Sequence, residues 1–409
     1  MAASEGTPPA TGGGGGGGGK EVAAAVVGAA GGGGGEGLAL PPSTPSEPGT
    51  PPTTRTQHAP GSSSPRRRRV SAASSTASGA SLASLLAKLH HPPSSSLSLE
   101  GKLRIRATLD CGSDVLGCRF SPDGSLVGAA LRSGQVKFFT QAATLSHTFQ
   151  LPGEAPRIPP AATSIVWVPG GPSQTVVTTY SDGRLVAWRG RGVGVEVSGA
   201  GVDVRAAAVG GLEGQLVTYT REQVTLRDLT TLSPTLTLDP GVGGQLVGRG
   251  PLWAVCGRGR EVVGGGCGLT WWDTRTGAAT KSVGGVQVRG PALASNPHSG
   301  KLLSGNWGGG QDSVKVWESS SAKLTHVLHS ESAHTSVYCA TWVGKDMVVV
   351  GGADPNLLRL ATLDNTTVGV LRGLRQPLWC VDAFVARPHQ GTRIAIASGT
   401  SLYLLDVLK

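Results

Sequence analysis

Residues 14–20 have the spacing of a phosphate-binding loop, Gly-x-x-x-x-Gly-Lys, in which backbone amides and the lysine hold a nucleotide phosphate. Such loops continue with a serine or threonine that coordinates magnesium, but the next residue here is Glu21. No strand-like segment precedes the run, and the intervening residues are all glycine. We therefore interpret it as plain oligoglycine and expect no nucleotide cofactor.

The side chains that could act as acids, bases or metal ligands do not converge in the sequence. Asp182, Asp312, His298 and His389 stand mostly where turns are expected, and no trio has the spacing of a nucleophile, a base and an orienting group. The cysteines include no Cys-x-x-Cys pair, so we expect neither a metal site nor a disulfide framework, but small, buried, reduced thiols. The sequence thus favours a protein that is not an enzyme and has no cofactor or metal. The cysteines are Cys111, Cys118, Cys256, Cys267, Cys339 and Cys380.

A basic run near residue 70 resembles a modification site. Arg66–Arg69 are followed by Val70 and Ser71, the Arg-Arg-x-Ser pattern that basophilic kinases prefer, so phosphorylation of Ser71 is one hypothesis. The same arginines could serve as a nuclear-import or anionic-surface patch. The third interpretation is a solvated linker.

The first hundred residues cannot form a core. They contain 19 Gly, 12 Pro and 16 Ser, and no Trp, Tyr, Phe or Cys. Without large apolar side chains, burial cannot offset the entropy of ordering the chain, so we predict a disordered tail over 1–96. One short helix is possible at 81–91, where four leucines recur at helical spacing between Ser81 and a Pro-Pro pair. It would pack on the folded domain or bind a partner.

Charge and hydropathy narrow the class of partner. The formal net charge is +10, but the basic residues of 97–409 are scattered, so a nucleic-acid partner is not expected. No apolar run approaches the roughly 20 residues of a membrane span, and the N-terminus lacks the order of a signal peptide. We expect an intracellular, cytoplasmic protein, with a cytoskeletal, ciliary or nuclear location left open.

The elements that must position any site are repeats. A four-residue apolar strand pattern recurs seven times at intervals of 39 to 49 residues. Each copy is preceded by two further apolar segments and followed by one, with turn signals such as Pro-Asp-Gly between them. This predicts an all-β fold of seven four-stranded units. The strands end at Phe139, Trp188, Arg227, Trp272, Trp317, Leu360 and Leu405.

These units resemble the Trp-Asp (WD) repeat β-propeller family. Trp272-Asp273 is the full Trp-Asp dipeptide and Trp317-Glu318 a conservative variant, although the Gly-His pair that usually opens a repeat is missing. The resemblance implies a seven-bladed propeller over 97–409, and comparison of the units predicts that strand 102–109 closes it. The structural anchors expected in its blades are Phe139, Trp188, Trp272, Asp273 and Trp317.

Fold alone does not give function, and the leading hypothesis is a non-catalytic scaffold that presents propeller loops to partner proteins and takes no small-molecule substrate. Two alternatives remain: a structural component of a cilium or flagellar axoneme, and a hydrolase carried on a propeller. Loops that join second to third strands, or one unit to the next, should emerge on one face. The partner-binding residues expected there are Arg132, Arg184, Arg221, Trp307 and Arg375.

Overall fold

The computed structural model describes residues 96–151, 158–168, 175–190, 192–207, 214–239, 250–308, 311–331, 335–385 and 391–409. Within these ranges the chain forms strands and no helix, arranged as seven antiparallel sheets. The architecture is a seven-bladed β-propeller, which confirms the predicted fold class. Residues 1–95, which include the predicted helix at 81–91 and Ser71, lie outside the described residues.

Two strands, β1 (Ser98–Gly101) and β2 (Leu103–Asp110), come before the first blade. The blades then follow in chain order. Blade 1 has β3 (Val115–Phe120), β4 (Leu126–Leu131), β5 (Val136–Thr140) and β6 (Leu145–Phe149). Blade 2 has β7 (Ala162–Trp167), β8 (Val176–Tyr180), β9 (Leu185–Arg189) and β10 (Gly192–Val197). Blade 3 has β11 (Arg205–Ala207), β12 (Gln215–Tyr219), β13 (Val224–Asp228) and β14 (Pro234–Leu238).

Blade 4 has β15 (Ala254–Arg258), β16 (Glu261–Gly265), β17 (Leu269–Asp273) and β18 (Ala279–Val283). Blade 5 has β19 (Leu293–Ser295), β20 (Lys301–Gly305), β21 (Asp312–Glu318) and β22 (Lys323–His329). Blade 6 has β23 (Ser336–Val343), β24 (Met347–Ala353), β25 (Leu357–Thr362) and β26 (Thr367–Arg372). Blade 7 has β27 (Leu378–Val385), β28 (Thr392–Ser398) and β29 (Ser401–Val407), with β2 as its fourth strand.

The ring closes within blade 7. Strand β2 pairs antiparallel with β29 over its whole length, so the segment expected at 102–109 forms the last strand of the final blade. Strand β1 was not predicted: it pairs with β26 and gives blade 6 a fifth strand. The chain crosses from one blade to the next at Gly101, whose φ of +74° is a left-handed conformation that glycine adopts without strain.

The hydrophobic core is divided among the interfaces between blades. Each buried cluster joins strands of neighbouring blades, as expected when both faces of a sheet are covered. Trp271 and Trp272 illustrate this, because adjacent strand residues point to opposite faces. The Trp271 indole faces blade 5 and donates to Ser319 Oγ at 3.2 Å, whereas the Trp272 indole faces blade 3 and donates to the Asp239 carbonyl at 2.7 Å.

The third-strand anchors fall into two kinds according to the residue they meet on the second strand. Where the second-strand residue has a hydroxyl, the anchor donates to it: Trp188 donates to Thr178 and Trp317 to Ser304, at 2.7 and 2.8 Å. Arg227 replaces the tryptophan in blade 3 and donates to Thr218 in the same way. In blade 4 that second-strand position is Gly264, and Trp272 donates to a backbone carbonyl instead. The three apolar anchors have no hydroxyl at the equivalent position of the second strand. That position is Ala129 for Phe139, Gly351 for Leu360 and Ile396 for Leu405.

Asp273 acts locally, not between blades. Its carboxylate accepts a hydrogen bond of 2.8 Å from the Arg275 amide in the turn to β18.

Five of the six cysteines are buried free thiols, and burial raises the pKa of Cys111 to about 12. Cys267 is exposed, contrary to the expectation that all six are buried.

Removal of β2 should open the ring. A chain that starts at Leu97 retains both β1 and β2 and should melt within a few degrees of the full chain, because the deleted residues contain no aromatic side chain for the core. A chain that starts at Cys111 lacks Leu103 and leaves β29 with an unpaired edge, so it should not fold cooperatively. Calorimetry of the three chains tests this; a normal transition in the shortest one would contradict the role of β2.

The Trp317–Ser304 hydrogen bond should be measurable by a double-mutant cycle. Trp317→Phe leaves the buried Ser304 hydroxyl without its donor, and we expect a loss of about 1–3 kcal/mol in the free energy of unfolding. When Ser304→Ala is already present, the same change should cost less. Additive losses in denaturant titrations would show that the two side chains are not coupled.

Candidate functional site

The first strands of neighbouring blades contact one another and therefore line the central channel. We call the face that carries the second-to-third-strand loops and the connections between blades the upper face. All five predicted partner-binding residues belong to loops of this face. Arg132 follows β4, Arg184 precedes β9, Arg221 lies between β12 and β13, Trp307 between β20 and β21, and Arg375 between β26 and β27.

The five residues do not form one cluster. Arg132 pairs with Asp114 at 3.4 Å, and Arg184 pairs with Asp182 at 2.7 Å, each within its own blade. Arg221 lies 3.9 Å from an Asp203 carboxylate oxygen. The hydrogen bonds, ion pairs and ring contacts of the described residues connect none of the five to another. The upper face therefore carries them at separate points around the ring.

The tryptophans separate into two groups by their indole N–H. Six of the nine donate to an acceptor inside the propeller, including Trp167, which donates to the Arg119 carbonyl, and Trp342, which donates to the Ala294 carbonyl. Within the described part of the chain, the indoles of Trp253, Trp307 and Trp379 donate to no acceptor. All three lie at the upper end of the channel.

Two of these tryptophans belong to a row of three aromatic rings. Tyr338 packs edge-to-face against Trp307, with ring centroids 4.3 Å apart, and against Trp379, with centroids 4.9 Å apart. The row, which we call the aromatic row, spans blades 5, 6 and 7. Trp379 is 38% exposed, and Tyr338 and Trp307 are half-buried. A continuous, partly open aromatic surface thus lies at the mouth of the channel.

β-Bulges direct Tyr338 and Trp379 into this row. In β23, Val337 and Cys339 pair with adjacent residues of β24, which leaves Tyr338 unpaired between them. In β27, Leu378 and Cys380 leave Trp379 unpaired in the same way. A bulge re-aims its extra side chain while its neighbours stay buried in the core.

Guanidinium groups accompany the exposed rings. Arg289 lies over the Trp307 ring at 5.5 Å and Arg221 over the Trp253 ring at 5.1 Å, both within cation–π distance. Burial raises the pKa of Tyr338; Asp354 also raises it, and Arg289 lowers it. Arg289 and Arg375 are exposed, and neither has a carboxylate partner among the described residues.

The sequence indicated Trp307 but missed Tyr338, Trp379, Arg289 and Trp253. A local signal for the first two exists. In both strands the aromatic residue is followed by two consecutive small or apolar residues, which breaks the two-residue alternation. These pairs are Cys339-Ala340 and Cys380-Val381, and all four residues are buried. Nothing comparable distinguishes Arg289 or Trp253.

The lower part of the channel is a separate cavity of about 380 Å³ whose lining is mostly apolar, with side chains such as Trp167 and Leu293. On its wall, Arg119 of blade 1 and Asp382 of the adjacent blade 7 form an ion pair of 2.9 Å, and the Phe120 amide also donates to Asp382. Among the described residues, no three His, Cys, Asp or Glu side chains gather as a metal site, and no helix is long and apolar enough to cross a membrane.

No protein-family model matches the chain, and no curated protein matches it at a significant level. The functional assignment therefore depends on the geometry of the residues themselves.

The two groups of tryptophans should differ in their contribution to stability. Trp272→Ala removes a buried indole from the interface of blades 3 and 4 and should cost about 3–5 kcal/mol. Trp307→Ala should cost roughly 1 kcal/mol, because it loses one aromatic contact on a half-buried ring. Equal losses in denaturant titrations would show that Trp307 is also a structural anchor.

Proposed function

We propose that the chain is a divergent WD-repeat propeller that acts as a non-catalytic protein-interaction scaffold. The observation that carries the proposal is that every indole lacking an internal acceptor in the described structure lies on the upper face, two of them joined through Tyr338 in the aromatic row. The remaining six tryptophans are accounted for by packing and hydrogen bonding within and between blades.

The residue types of this surface are those found at the centres of protein–protein interfaces. Tryptophan, tyrosine and arginine dominate binding energy at protein interfaces, because they combine large contact areas with directed hydrogen bonds. The rings of Trp307, Tyr338 and Trp379 already pack against one another, so little side-chain entropy is lost when a partner covers them. The row is also held on rigid strands, because Tyr338 and Trp379 belong to β23 and β27.

A scaffold role is favoured over a hydrolase by the pairing of polar groups in the channel. The Asp382 carboxylate accepts from both Arg119 and the Phe120 amide, at 2.9 and 2.7 Å, so it is engaged as a structural partner. A general base would instead need to be oriented toward a nucleophile or a water.

Membership of the WD-repeat family is supported by the anchors. The family resemblance involves a buried hydrogen-bond network around the repeat tryptophan. Two blades contain the tryptophan–hydroxyl part of such a network, through Trp188 with Thr178 and Trp317 with Ser304. Blade 4 has the Trp-Asp dipeptide, with Gly264 where those blades have a hydroxyl.

Affinity capture with a double variant tests the scaffold proposal. Trp307→Ala combined with Trp379→Ala should leave the propeller folded but reduce recovery of its main partner proteins from native cells at least tenfold, because the centre of the surface is removed. Quantitative mass spectrometry measures the recovery.

The matched control is Leu324→Ala, on the outermost strand of blade 5. Leu324 is 40% exposed, close to the exposure of Trp379, but it lies at the rim. The control should retain every partner. An unchanged partner list from the folded double variant would refute the proposed binding face.

A further inference from the structure

We propose that the aromatic row binds a proline-containing segment of a partner protein in the polyproline II conformation, with a carboxylate beside it. This inference rests on the proposed scaffold function and specifies the partner's chemistry. It follows from three properties of the row: its unused donors, its length and its charge.

The free indole N–H groups require acceptors that are free as well. A polyproline II helix has no internal hydrogen bonds, so all its backbone carbonyls can accept. An α-helical partner uses its carbonyls internally except in the last turn, and a β-strand partner would need an open sheet edge. Strands β23 and β27 are edge strands that face the channel, but bulges at Tyr338 and Trp379 interrupt the regular backbone spacing that an added strand would need. The indole N–H groups of Trp307 and Trp379 therefore suit an extended ligand whose backbone carbonyls point away from its axis and are free to accept hydrogen bonds.

The length of the row fits one turn of such a helix. The two centroid distances of the row limit its span to about 9 Å, and three residues of polyproline II advance by about the same distance. Prolines at both ends of a Pro-x-x-Pro turn could then contact Trp307 and Trp379 together, with Tyr338 beneath the intervening residues. Edge-to-face rings present alternate faces and edges, and proline rings pack well against such surfaces.

The charge around the aromatic row determines which residue type is favoured beside the prolines of the ligand. Arg289 covers the Trp307 ring, and Arg375 precedes Trp379 by four residues. Among the described residues, Asp354 is the carboxylate whose charge raises the pKa of Tyr338. Positive charge is thus in excess, which favours an Asp or Glu next to the prolines. The same guanidinium disfavours a ligand ammonium group, because Arg289 already occupies the cation–π position on Trp307.

Fluorescence anisotropy with the full chain tests the inference. The probe is the fluorescein-labelled peptide Pro-Pro-Ala-Pro-Pro-Ala-Glu-Glu. A second probe has alanine in place of every proline, and a third has lysine in place of both glutamates. The proteins compared are the unchanged chain and three single variants: Trp379→Phe, which removes one donor but keeps a ring, Arg289→Gln, which removes one charge, and the rim control Leu324→Ala.

We expect the acidic proline probe to bind at least tenfold more tightly than the alanine probe, because the alanine peptide is not preorganised. Trp379→Phe should weaken it roughly three- to tenfold, the loss of one hydrogen bond. Arg289→Gln should reduce the preference for glutamate over lysine, and Leu324→Ala should change nothing.

Other results would overturn the inference. Equal binding of the alanine probe, or binding that Trp379→Phe leaves unchanged, contradicts polyproline II recognition at the row. If no probe binds while affinity capture still depends on Trp307 and Trp379, the scaffold function stands and the ligand is a different one, such as a helix or a second copy of this chain. If capture is also indifferent to both tryptophans, the two proposals fail together.

Discussion

The pairing of β2 with β29 is the interaction on which the rest of the propeller depends. Each blade buries its faces only against its neighbours, so an open ring would expose both terminal blades at once. A bulge between Ile105 and Ala107 changes the face to which the apolar residues of β2 point. As a result, Leu103 packs toward blade 6 and Leu109 packs toward blade 1. At the seam between blades 7 and 1, the buried thiols of Cys118 and Cys380 lie 3.4 Å apart. Closure therefore buries apolar residues of the last strands against those of the first.

A closed ring also explains the use of the tryptophans. Interfaces between blades need large, flat side chains, and Trp188, Trp272 and Trp317 supply them from third strands. Each of these indoles finds an acceptor, because an unpaired buried N–H is costly. Trp307 and Trp379 do not follow this pattern. They are not needed to hold blades together, and their donors remain available at the channel mouth, where the stability of the ring keeps them in place.

The fold could be predicted from the sequence because the repeat period and the face alternation are local properties. The seven anchors and the closing strand follow from comparison of one unit with the next. Strand β1 could not be predicted, since Ser98–Gly101 is short and has no alternation, and its partner β26 is distant in sequence. The loops of the upper face could be identified, but their ion pairs, such as Arg184 with Asp182, depend on local geometry. The aromatic row was missed because Trp307, Tyr338 and Trp379 meet only when three blades are assembled.

The central claim is that partners bind the upper face at the aromatic row, and site-specific photocrosslinking in living cells tests it most directly. A photoreactive benzoylphenylalanine would replace, one at a time, Trp379 on the upper face, Leu324 at the rim and Lys345 in the exposed turn between β23 and β24 on the opposite face. The account predicts covalent partner adducts from position 379 and none from the other two. Adducts from position 324 or 345, with none from 379, would contradict it.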